Sequence, residues 1–180
     1  MSRSLHTDPY PVRAQRRTGS PVPVRVGPPR RGFVHPAGPG DVARVLAFFG
    51  PAACYGLRGV ELRQRPAGAG LAVAALRVPG LVVLFEQPAP PWVLPGRLTD
   101  DRLERAGAVV AAGPAGTLVE WPGDTLRDFV LFDGLMHEIG HHTIQHAARK
   151  RHTRAMRTAD HERRADAYAA RARQEWSARW

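Results

Sequence analysis

Residues 121–146, "WPGDTLRDFVLFDGLMHEIGHHTIQH", open on a Pro-Gly break and end with four histidines and one glutamate in the last ten positions. Asp124 is placed to cap a helix there, and nothing breaks helical periodicity from it to about Arg151. At about 100° per residue with His137 at zero, Phe129, Phe132, Leu135, Met136, Ile139 and Ala147 fall between about 160° and 280°. That continuous apolar stripe needs a core to face. His137 and His141 lie about 40° apart, one turn along the same side.

The core is sought upstream. From Gly59 to Arg65, Val60 and Leu62 alternate with Glu61, Arg63 and Arg65, the period of a half-buried strand. Leu71 to Val78 and Leu81 to Gln87 are two richer runs on either side of Pro79-Gly80, which reads as a hairpin. Pro88 to Pro95 reads as a loop, and Thr99 as the cap of a short helix through Glu104. Ala108 to Ala112 and Thr117 to Trp121 form a weaker strand pair around Gly113-Pro114-Ala115-Gly116. Before all of these, Asp41 is placed to cap a short helix with Val42, Val45, Leu46 and Phe49 on one face, ended by Gly50-Pro51. Strands first and helices last predict an α+β fold with an antiparallel-rich sheet.

At 180 residues the chain is long enough for one core. Residues 1–40 carry repeated Pro, Arg and Gly with no apolar period, so they are expected to be a disordered basic tail, with the domain running over 41–180. The net charge of +10 sits at the ends: residues 1–44 hold 8 basic and 2 acidic groups, 45–146 hold 8 and 10, and 147–180 hold 10 and 4. Basic ends can meet phosphates, which leaves nucleic acid as a secondary reading, but they lack the interleaved aromatics that stack on bases.

The single cysteine, Cys54, excludes an internal disulfide framework and a multi-cysteine zinc knuckle. Any metal would have to be held by imidazole and carboxylate. No apolar run reaches the roughly 18 residues of a membrane span. Arg30-Arg31-Gly32-Phe33-Val34 faintly suggests twin-arginine export, but Arg44, Gly50 and Pro51 interrupt the apolar patch behind it, so a cytoplasmic location is expected.

Two imidazoles at i and i+4 on one helix can share a zinc ion with little backbone cost. Glu138 projects about 100° round from His137, poorly aligned as a ligand but able to reach a water on the ion, which is where a general base belongs. A third histidine at the spacing of the longer His-Glu-x-x-His-x-x-Gly-x-x-His class would fall on Ala147, so that class is excluded. Downstream, "TADHERRADAYAARA" (158–172) starts a second helix carrying Asp160, His161, Glu162 and Asp166. Glu162 and Asp166 share a face, so one can ligate while the other accepts a hydrogen bond from a ligating imidazole; His161 and Asp160 remain as alternatives for the third ligand. The basic run 149–154 is where the chain would turn back. His142 and His146 form a second i, i+4 pair without a neighbouring base and read as flanking groups.

His137-Glu138-Ile139-Gly140-His141 followed by Glu162-Arg163-Arg164-Ala165-Asp166 resembles the gluzincin metallopeptidases, in particular the small ImmA/IrrE-like proteins. The resemblance covers about residues 124–175. It implies a small zincin-like domain in which the active-site helix is followed by a C-terminal helix. It also implies zinc held by His137, His141 and Glu162, Glu138 as the base, and Asp166 supporting a ligand. The activity implied is peptide-bond hydrolysis in a peptide or protein substrate, with Thr117 to Trp121 as an edge strand to which extended substrate adds. Two other readings compete: a zinc-binding but catalytically idle interaction module, and a basic nucleic-acid-associated protein.

Overall fold

Val60, Val82 and Val83 have no exposed surface. They belong to the two central strands of a four-stranded sheet built from β1 (Val24–Val26), β3 (Gly59–Arg63), β4 (Ala74–Arg77) and β5 (Leu81–Phe85). The order is β1-β3-β5-β4, with β1, β3 and β5 parallel and β4 antiparallel to β5 along one edge. The computed structural model describes residues 22–77, 80–147 and 157–179. Residues 1–21 of the expected tail, Pro79 of the expected turn, the helix end at Arg151 and the basic run 149–154 lie outside the described residues.

Two smaller sheets complete the β layer. A two-stranded pair joins β2 (Phe33–Val34) to β6 (Gln87–Pro88), and an antiparallel meander joins β7 (Trp92–Leu94), β8 (Val109–Gly113) and β9 (Gly116–Glu120) in the order β7-β9-β8. Helices are α1 (Pro39–Cys54), α2 (Arg102–Arg105), α3 (Thr125–Phe129), a π-helical stretch (Val130–Met136), α4 (His137–Ala147) and α5 (Ala159–Ser177). The architecture is mixed α+β, with antiparallel pairings in the majority and a C-terminal helix.

Several expectations need correction. The segment expected to be a tail as far as residue 40 contributes β1 and β2 to the domain, because Val24 to Val26 pair in register with Val60 to Leu62. β3 is no half-buried strand: Gly59 to Leu62 are all buried, since parallel neighbours flank it, and Glu61 is tolerated there through Arg63 and Arg25. The proline-rich stretch 88–95 holds β7, anchored by Trp92, which is 2% exposed and donates its indole N–H to the Pro88 carbonyl at 2.7 Å. Helix α1 starts earlier and ends later than expected. Gly50 takes φ +68° and ψ −158°, so the Gly50-Pro51 step kinks the helix without ending it. Asp41 sits inside the first turn, where its carboxylate accepts from the Gly38 N–H at 2.9 Å. The helix expected from Thr99 is the single turn α2, preceded by Asp101. β9 is the middle strand of its sheet and not an edge, so no peptide can add to it. The edge strand packed on the histidine-bearing helix is β4.

Asp124 precedes α3, but its side chain pairs with Arg127 at 3.0 Å rather than capping the helix. The chain from α3 into α4 is buried on more sides than the apolar stripe requires. Val130, Leu131, Phe132, Gly134, Leu135 and Met136 are all buried, and the wider π turn advances less than about 100° per residue. The helix thus presents a broad apolar surface to the sheet before tightening into α4 at His137. Two glycines permit the closest approaches. A Cβ on Gly134 would lie 2.9 Å from Val73 Cγ1, and one on Gly140 would lie 3.1 Å from Ala165 Cα and 3.3 Å from its carbonyl oxygen. The first seats the helix on the strand region leading into β4. The second lets α5 lie against α4 almost backbone to backbone. An ion pair between Asp133 and Arg173 and the packing of Trp176 near Phe48 and Phe132 tie down the far end of α5.

A charged clasp holds the N-terminal strands. Glu86 has no exposed surface and takes the backbone N–H of Arg30 at 2.7 Å together with its guanidinium. Burial alone would raise the Glu86 pKa, but the Arg30 contacts outweigh it and hold the carboxyl below its ordinary range. The guanidinium also lies 4.7 Å from the centre of the Phe33 ring. Arg30 of the arginine pair is therefore committed inside the domain. Among the described residues no helix is long and apolar enough to cross a membrane.

Replacing Arg30 by Ala strands a buried carboxylate and is expected to cost on the order of 3 kcal/mol in urea denaturation, more than Glu86→Gln, which needs no counter-charge. Gly140→Ala is expected to cost about 1–3 kcal/mol by forcing α4 and α5 apart. A Gly140→Ala denaturation midpoint equal to wild type would contradict the close-packed account of that interface.

Candidate metal centre

Helix α4 carries His137 and His141 one turn apart, and α5 crosses it with Glu162 facing both. The three donor atoms form a small triangle: His137 Nε2 to His141 Nε2 is 3.1 Å, His137 Nε2 to Glu162 Oε2 is 3.3 Å, and His141 Nε2 to Glu162 Oε2 is 3.4 Å. Zinc–nitrogen and zinc–oxygen bonds of about 2.0–2.1 Å in a tetrahedral shell separate neighbouring donors by about 3.3–3.4 Å. The triangle therefore has the size of one face of that shell, and its donor set of two imidazoles and one carboxylate suits zinc chemically. It is the one group of three or more such residues close enough to hold an ion among the described residues.

The surroundings orient and prepare these donors. Asp166, one turn beyond Glu162 on α5, places Oδ1 3.0 Å from His137 Nδ1. With Nδ1–H donating to that carboxylate, His137 presents the lone pair of Nε2 to the triangle. His141 is 2% exposed, and burial lowers its pKa below the ordinary value against the opposing charge of Glu138. A neutral imidazole near pH 7 is the form that ligates.

Glu138 is 2% exposed and points to the same region, its carboxylate bonded by Arg157 Nη2 at 2.9 and 2.8 Å to the two oxygens. Of the alternatives for the third ligand, Asp160 is engaged by Arg163 at 3.1 Å and His161 lies in the first turn, its backbone N–H on Thr158 Oγ1 at 3.3 Å. Glu162 is the one brought to the imidazoles. Thr158 caps α5, and Asp160 and Glu162 in the first turn suit the positive end of the helix.

The second histidine pair faces the other way. His142 is 3% exposed with Nε2 2.9 Å from the Tyr55 carbonyl oxygen, and its ring lies 4.2 Å from that of His146. Both pack against the turn at Gly56, where an added Cβ would come within 2.6 Å of the His146 ring. Tyr168 is packed between the helices: its Cβ lies 3.2 Å from where a Gly140 Cβ would stand, and burial raises its phenol pKa. Cys54 is a half-buried free thiol whose pKa burial raises. Sequence reading did not single out Arg157, which was one of ten basic groups in 147–180. Its position immediately before the Thr158 cap, four and nine residues ahead of His161 and Asp166, was the only available signal.

Comparison of the chain with family models, with curated proteins and with solved structures finds no match in any of the three.

Burial, and then the neighbouring His146, push the His142 pKa down to about 4, against a value near 6.5 in an unfolded chain. The unfolded state thus binds the extra proton first. Stability is fully present above about pH 6.5 and should fall by on the order of 3 kcal/mol as pH drops toward 4. Urea midpoints of chelator-treated protein between pH 7 and 4.5 measure this, and His142→Asn should flatten the acid limb; an unchanged limb would remove His142 as its source.

Proposed function

We propose that the chain is a zinc-dependent peptidase whose site comprises His137, His141 and Glu162 as ligands, Glu138 as general base and Asp166 as the group orienting His137. The observation that carries this reading is the donor triangle with edges of 3.1, 3.3 and 3.4 Å, set beside a buried carboxylate that is not part of it. Zinc held there would act as a Lewis acid, polarising a carbonyl and lowering the pKa of a coordinated water to about 7.

The chain's own residues carry the proton. Glu138 accepts it from the attacking water and returns it to the leaving amine, a transfer that a carboxylate can make in both directions when water is excluded around it. Asp166 keeps His137 in the tautomer that donates from Nδ1. Burial lowers the His141 pKa, which favours the neutral imidazole that can ligate. The zincin-like likeness of the resemblance is supported by the mixed sheet, the helix bearing both histidines and the following helix bearing the glutamate.

A peptide substrate is favoured by β4. It pairs with β5 on one side, has no strand on the other among the described residues, and packs against α4. An extended chain laid along that edge can satisfy the free backbone groups and run past the donor triangle.

The test is zinc per chain, by elemental analysis after reconstitution, in wild type and four variants. Wild type and Glu138→Gln should hold close to one zinc, whereas His137→Ala, His141→Ala and Glu162→Ala should lose most of it. Peptide-library cleavage by wild type should drop at least about 100-fold in Glu138→Gln. Wild type without zinc sinks the reading; zinc with equal cleavage by Glu138→Gln removes Glu138 as base.

A further inference from the structure

One group at the site has no part in the hydrolysis as derived. Arg157 stands just ahead of the Thr158 cap of α5, and its guanidinium spans two carboxylates. Nη2 lies 2.9 and 2.8 Å from the two oxygens of Glu138, and Nη1 lies 3.7 Å from Glu162 Oε1. Glu162 is thereby divided, with Oε2 turned to the imidazoles and Oε1 to the arginine. The same cation touches both the group read as base and the group read as third ligand.

Resting on the peptidase reading, we propose that Arg157 is an internal counter-cation that competes with the metal ion for the Glu138–Glu162 pair, so that metal loading and release of Glu138 are coupled. Glu138, Glu162 and Asp166 bring three carboxylates to one end of two packed helices, and Glu138 is almost wholly buried. A buried carboxylate demands a partner, and a guanidinium reaching over from the start of α5 is one. A divalent ion on His137, His141 and Glu162 brings two further positive charges to within a few ångströms of it. Like charges at that distance repel even where solvent weakens the force.

Of the two cations the arginine is the one that can yield. Its side chain is 46% exposed on a long flexible stem, whereas His141 and Glu138 sit on a buried helix with 1% and 3% of their side chains exposed. Withdrawal of the guanidinium into solvent leaves both oxygens of Glu138 open to water. The coupling is reciprocal: the Arg157–Glu138 contact weakens metal binding by the same factor by which bound metal weakens that contact.

Zinc affinity of the full chain, measured by competition with a chromophoric chelator, tests this without a substrate. Arg157→Gln and Arg157→Ala are expected to bind zinc about tenfold or more tightly than wild type, and Arg157→Lys, which keeps the charge, to stay within about threefold. Arg157→Ala removes the partner of a buried carboxylate and is expected to cost stability as Arg30→Ala does, whereas Arg157→Gln keeps an amide donor beside Glu138; a thermal melt of each variant checks that folded protein is titrated. Equal or weaker affinity in the two neutral variants overturns the proposal, and if zinc is then still bound stoichiometrically the peptidase reading stands. Zinc bound by none of the four chains overturns both.

Discussion

Helices α4 and α5 approach closely at Gly140, where the absence of a side chain lets Ala165 come up against the backbone. Glu162 and Asp166 lie on either side of that crossing. This close approach fixes where the Glu162 carboxylate stands, 3.3 and 3.4 Å from the two imidazoles of the neighbouring helix. That approach needs small residues on both helices. The same requirement explains why α5 is rich in alanine along this face, with Ala165, Ala169 and Ala172 buried.

The sheet contributes rigidity. β3 and β5 are covered by neighbours on both sides, and the helix that runs from α3 through the π-helical stretch into α4 is buried along most of its length before His137. A residue that emerges from so constrained a segment has few orientations open to it, which suits donors that must be preset to within a fraction of an ångström. The π stretch also rotates α4 relative to α3. Apolar residues before it and imidazoles after it can then face different layers without a break in the helix.

Much of this was legible in the chain. The i, i+4 spacing of His137 and His141, the turn-related Glu162 and Asp166, and the β4–β5 and β8–β9 hairpins follow from local periodicity and turn residues, which short-range physics controls. What was misread depended on distant partners. Val24 to Val26 look like part of a proline-rich leader until Val60 to Leu62 are placed beside them. Trp92 lies among prolines that suggest a loop, yet its ring is buried against Trp121 and its strand pairs with β9, some 25 positions on. Glu61 and Glu86 look like solvent-facing residues until Arg63 and Arg30 are seen to neutralise them. The angular map of the long helix assumed one pitch throughout, so the π stretch escaped it. In each case the deciding energy came from a contact across the chain.

Arg157, Glu162 and Asp166 all lie within ten residues at the N-terminal end of α5, while the opposite end is fastened by Asp133–Arg173 and by Trp176. Glu162 and Asp166 are thus mounted on a single rod pinned at its far end, with Arg157 just ahead of it. Tilting that rod displaces both carboxylates together. The N-terminal half of α5 either docks as a unit, bringing Glu162 and Asp166 to His137 and His141 together, or leaves both imidazoles without them.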